Sequence, residues 1–180
     1  MAKKSPSLSG HQLRLHDILD YHETTLMSLW AWYETILKGN FLPAKFSQLT
    51  GSQLIEDRDK NLQELNQSVS LTLLAAIEAS FRIDYHQRIS KRKPKHGLTT
   101  AFKQLASTKD WVSLEEDILE LWKQHYPLYA QIISEFNGAL KYRHWLAHGR
   151  YWVPKLGRKY DYYSLSLLAQ RIYVNLPLVS

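Results

Sequence analysis

Apolar side chains recur every three or four residues through most of this chain, the spacing that gathers them on one face of an α-helix. Over 11–38 the rhythm is carried by Leu15, Ile18, Leu19, Leu26, Leu29, Trp30, Tyr33, Ile36 and Leu37, which predicts one amphipathic helix. Gly39-Asn40 reads as its C-terminal cap, and Pro43 follows. A second helix is predicted from about Ser52 to Ser90. One apolar row on it is Leu62, Leu65, Val69, Leu73 and Ala76; a neighbouring row is Leu71, Leu74, Phe81 and Tyr85. Two adjacent rows make a wide buried face, which places this helix at the centre of a bundle.

The basic run Lys91-Arg92-Lys93-Pro94-Lys95-His96-Gly97 breaks the second helix, and 98–106 is a short helical candidate. Ser113-Leu114-Glu115-Glu116 has the form of a capping box and opens a helix to about His125. Pro127 suits the first turn of the next helix, which carries Tyr129, Ile132, Ile133, Phe136 and Leu140 and reaches His148-Gly149. The aromatic stretch 150–163 predicts a small β-hairpin or an ordered loop. A last helix spans about Ser164 to Val174, with Pro177 closing it. The expected fold is an all-α bundle of about five helices, forming one domain over 11–180 behind a flexible N-terminus at 1–10.

Composition narrows the setting. The chain has no cysteine, so disulfides and thiolate-bound zinc are excluded and a reducing compartment is expected. The basic N-terminus leads into no apolar core of a signal peptide, and no run has the apolar length of a membrane span. The expectation is therefore a cytoplasmic protein with no membrane partner. A formal charge of +6 suits a polyanionic partner such as RNA, although net charge carries no information about fold.

The chemistry concentrates in Lys141-Tyr142-Arg143-His144-Trp145-Leu146-Ala147-His148-Gly149-Arg150. An Arg followed by a His at any of three allowed short offsets is expected roughly once by chance in a chain of this composition. Its context is more specific: Ala precedes His148, Gly follows it, and the pair closes a late helix in a helical chain. Residues 143–149 resemble the signature of the HEPN superfamily, an Arg and a His separated by four to six residues. His144 stands where that signature usually has Asn.

The resemblance implies a metal-independent endoribonuclease of toxin or defence type, working as a homodimer and restrained by an antitoxin protein, with no cofactor. His148 would be general acid and base, Arg143 the phosphate stabiliser and His144 an auxiliary group. Imidazole suits proton transfer near neutrality. A planar, permanently charged guanidinium suits the charge that grows on the phosphoryl oxygens. The superfamily also holds non-catalytic domains that bind RNA, a nucleotide or a partner protein. Some of its toxins are silenced through a Tyr two residues after the motif His; here that position is Arg150, with Tyr151 next.

Geometry raises a difficulty. Five residues along a helix place Arg143 and His148 about 140° apart. His148 instead aligns with Asn137, Lys141 and His144. Either Arg143 reaches around, the helix unwinds before Gly149, or a second subunit completes the site. Glu78 falls in an apolar row and could orient Arg143 or His148, or simply pair with Arg82 one turn on. His144 and His148 have a chelating spacing, but no third ligand is evident and metal binding is not expected. Lys91, Arg92, Lys93, Lys95 and Arg150 are candidates for RNA phosphates.

Overall fold

Burial decides which helix lies at the centre. The computed structural model describes residues 9–90 and 97–179. In it α2 (Gly51–Ser90) packs against α1 (Leu15–Leu37), α3 (Gly97–Thr108), α5 (Ala130–Ala147) and α6 (Tyr162–Asn175). A π-helical turn, Leu114–Leu119, leads into the short α4 (Glu120–His125); 3-10 turns occupy Ala44–Phe46 and Pro127–Tyr129. The all-α class is as expected, with six helices where about five were expected, because the short segment after the basic run is fully helical. Among the described residues no helix is long and apolar enough to cross a membrane. Lys91, Arg92, Lys93 and Lys95, like residues 1–8 of the expected flexible N-terminus, lie outside the described residues.

Both apolar rows of α2 turn inward. Leu73, Leu74, Ile77 and Phe81 are fully buried, Phe81 stacking on Phe136 at 5.5 Å and meeting Trp122 edge-on at 5.8 Å. The stripe on α1 is used less completely. Ile18, Tyr33 and Ile36 are buried, whereas Trp30 and Leu37 stand partly in solvent. Buried His22 fills the gap, with its Nε2 2.8 Å from Asn66 Oδ1 and its ring stacked on Tyr162 at 3.5 Å.

The helix ends follow their capping chemistry. The N–H of Asn40 donates to Thr35 and that of Gly39 to Ile36, closing α1 where Gly39-Asn40 is expected to do so. Ser113 Oγ accepts from the Glu116 N–H at 3.3 Å, but the reciprocal bond is made by Asp117, whose Oδ2 accepts from the Ser113 N–H at 2.8 Å. The partner shifts by one residue because the first turn is π-helical, with Ile118 N–H donating to Ser113. Asp161 and Ser164 form a full capping box that starts α6 two residues before Ser164.

Between α5 and α6 no hairpin forms: the described residues contain no strand, and 148–161 is an irregular loop. Side chains replace a ladder there. The Trp145 indole N–H donates to the Trp152 carbonyl at 2.7 Å, and Tyr160 stacks on Tyr142 at 5.7 Å. Gly138 permits that return: a Cβ there would lie 2.9 Å from the Tyr160 hydroxyl.

A buried charge pair on α2 had no signal in the apolar rhythm. Asp84 Oδ1 accepts from Arg88 Nε at 2.8 Å and from the Val179 N–H at 2.8 Å, while Oδ2 accepts from Trp122 Nε1 at 3.1 Å. Arg88 donates onward to the Pro177 carbonyl at 2.8 Å. Burial pushes the Asp84 carboxyl above its ordinary value despite these partners. Asp84→Ala strands a buried guanidinium and should cost about 3–5 kcal/mol in denaturant unfolding. A loss under about 1 kcal/mol would mean the network is not needed.

Candidate functional site

The motif sits where α5 stops. The helix remains regular through Ala147, His148 is its cap residue, and Gly149 and Arg150 follow with φ of 80° and 58°. The Arg150 N–H reaches back to the Trp145 carbonyl at 3.2 Å and closes the end. Glycine adopts this left-handed conformation freely, but for arginine it is strained by about 1–2 kcal/mol. Arg150 is held there by α2: its guanidinium donates to Glu64 Oε2 at 2.7 Å and Oε1 at 3.0 Å, and also to Gln67. A residue expected to face RNA phosphates is thus engaged in an internal clamp.

Arg143 turns toward α2. Its Nη2 lies 3.4 Å from Glu78 Oε2, while Glu78 Oε1 accepts from Arg82 Nε at 3.0 Å. Glu78 therefore serves both arginines: the ordinary helical pair and the orienting contact coexist. The Arg143 Nε is buried and has no acceptor in the protein. His144 and His148 are exposed, and their rings are in contact at 4.2 Å between centroids.

Two cavities meet at His144. One, of about 190 Å³, is lined by Glu78, Arg82, Trp111, Ser113, Arg143 and His144, among others. The other, of about 310 Å³, is lined by Lys141, His144, Trp152, Pro154, Lys155 and Leu156 beside their shared wall. That wall is Glu115, Leu140 and His144, which line both. His148 lines neither. The structure thus brings Arg143, His144 and Glu78 together, with Lys141 across the wall and His148 at the rim against His144. Asn137 is half-buried, its Oδ1 without a protein partner, and it lines neither cavity. Tyr151 is exposed and meets Trp152 edge-on at 4.7 Å.

No protein-family model matches the chain, and no curated protein or solved structure matches it. What the site can do follows from its own side chains: a guanidinium fixed by a carboxylate, two touching imidazoles, and aromatic surface on both sides. Among the described residues no group of three His, Cys, Asp or Glu side chains is placed to hold a metal ion.

Arg82, Trp111, Ser113, Glu115, Trp152 and Lys155 also line these cavities. Of these the sequence offers a local signal only for Arg82, one turn from Glu78, and for Trp152, in the aromatic stretch. The others are brought in from the α3–α4 junction and the post-α5 loop by tertiary packing.

The Arg150 clamp has a pH signature. Hydrogen bonding from Arg150 holds the Glu64 carboxyl below its ordinary 4.5. Stability from a carboxylate with a lowered pKa is complete above that ordinary value and is lost as pH falls through the lowered one. The pair is solvent-exposed, so its contribution is below about 1 kcal/mol. Between pH 7 and pH 3, Glu64→Gln should lose slightly less of its thermal midpoint than the wild type. Identical losses in calorimetry would mean that the clamp adds nothing to stability.

Proposed function

We propose that this chain is an endoribonuclease that cleaves RNA by attack of a ribose 2′-oxygen on the adjacent phosphorus. The observation that carries the reading is the contact between His144 and His148 at the open end of α5, next to an arginine fixed by Glu78. In the reaction His148 takes the 2′-hydroxyl proton as the 2′-oxygen bonds to phosphorus. The bond from phosphorus to the 5′-oxygen breaks, and that oxygen receives a proton from the His144 imidazolium. The products are a 2′,3′-cyclic phosphate and a 5′-hydroxyl. Arg143 keeps Glu78 on one side and offers its remaining N–H groups to the phosphoryl oxygens.

The helix stays wound up to His148, and Arg143 turns to α2 rather than reaching around. A second copy related by a two-fold axis is therefore the route by which Arg143 of one chain gains His148 of another. The resemblance of residues 143–149 to the HEPN signature extends the reading to a toxin or defence effector in the cytoplasm, restrained by an antitoxin protein.

Two experiments test this function. Light scattering at micromolar concentration should report about twice the 21.1 kDa chain; a strict monomer that still cleaves RNA removes the shared cleft. Cleavage should survive EDTA and stop when the nucleotide 5′ of the cut carries 2′-deoxyribose. His148→Ala should lose at least about 100-fold in rate. Its thermal midpoint should hold, since the side chain is exposed, and Arg143→Lys should remain impaired. Continued cutting of the deoxy substrate would make an external water the nucleophile. RNA binding without any cleavage would make the chain a non-catalytic binding domain.

A further inference from the structure

We infer that Trp111 and Trp152 are stacking platforms for two bases of a single-stranded RNA whose chain crosses the wall at His144. The inference rests on the proposed nuclease only for where the strand is cut; the grip itself is independent of chemistry.

Three observations carry it. The first is the layout: each cavity holds one tryptophan, and the two share His144, Glu115 and Leu140 as their common wall. A chain occupying both must cross this wall, where His144 is the cationic-capable side chain and Glu115 the acidic one. The second is exposure on a fixed backbone. The Trp111 side chain is 81% exposed, a large apolar surface left in water beside two arginines. Its loop is nevertheless fastened, because Lys109 Nζ donates to Asp117 at 2.6 and 2.8 Å and Asp117 binds the Ser113 N–H. Trp152 is half-buried and is held likewise: its carbonyl accepts from Trp145, and its ring lies 5.8 Å from that of His144. Such indoles are presented in place, which lowers the entropy lost when a base stacks on them.

The third is charge. Lys141 and Lys155 stand in the Trp152 cavity and outnumber its one carboxylate, Glu115; in the Trp111 cavity Arg82 and Arg143 stand beside Glu78, which binds both, and Glu115. Cations beside aromatic faces fit a phosphodiester chain with splayed bases, the usual mode for single strands. A duplex hides its base faces in its own stack and cannot use two separate platforms.

The test measures binding without cleavage. A fluorescein-labelled, fully 2′-O-methylated RNA octamer, which lacks the attacking hydroxyl, is titrated with the full-length protein and followed by anisotropy. Trp111→Ala and Trp152→Ala should each weaken binding at least about fivefold. Phe at either position should restore most of it. Trp32→Ala, which alters an exposed indole on α1, should change nothing. The same octamer annealed to its complement should bind at least about tenfold more weakly. Alanine variants that bind like the wild type, or a duplex that binds as well as the single strand, overturn the platforms. If the platforms hold and natural RNA is never cut, the nuclease falls and the binding groove stands. If RNA is cut but the variants grip normally, the nuclease stands and the platforms fall.

Discussion

A carboxylate buried at Asp84 constrains the whole bundle. Desolvating an anion is costly enough that both of its oxygens must find donors. The donors come from three places: Arg88 one turn along α2, the Trp122 indole on α4, and the Val179 N–H beyond α6. With Arg88 also bound to the Pro177 carbonyl, the end of the described chain is tied to the central helix. Together these contacts fix the rotation of α2 about its axis. That rotation places Phe81 between Phe136 and Trp122 and leaves Glu78 facing α5.

The orientation of α2 thereby reaches the candidate site. Glu64 and Glu78, on the same helix, each receive an arginine from the neighbouring α5 or the turn that ends it, Arg150 and Arg143. One contact holds the strained residue that ends α5, and the other aims a guanidinium at a cavity. The loop beyond is shaped by close approaches instead of a ladder, with Tyr160 packed over Gly138 and the Trp152 carbonyl capped by Trp145. The outcome is a rigid rim of charged and aromatic groups around two exposed imidazoles. A site this open to solvent excludes little water by itself.

Much of this was legible in the residues. The three- and four-residue rhythm marks every long helix to within a few positions, and Gly39, Ser113 and Gly149 mark ends, because each depends on neighbours close in sequence. The motif at Arg143, His144 and His148 is legible for the same reason, as is the alignment of Lys141 and His144 on one helical surface. The hairpin alternative over 150–163 was not borne out, since aromatic spacing alone does not say whether backbone groups meet a strand or a side chain.

What tertiary structure alone decided is which polar groups meet across the bundle. Glu78 sees Arg143 across 65 positions of sequence, Glu64 sees Arg150 across 86, and Asp84 sees Val179 across 95. The apolar rhythm says that α2 is central but assigns no partner to a polar residue within its buried face. His22 was likewise read past, because a buried imidazole has no periodic signature apart from its acceptor on another helix. By itself the sequence determined the helices, their caps and the local constellation on α5, for these follow from spacing along one chain. The cavities around His144 are a property of four separated segments packed together. No local pattern encodes them, because hydrophobic burial specifies which faces are covered, and the pairing of charges follows only once those faces are stacked.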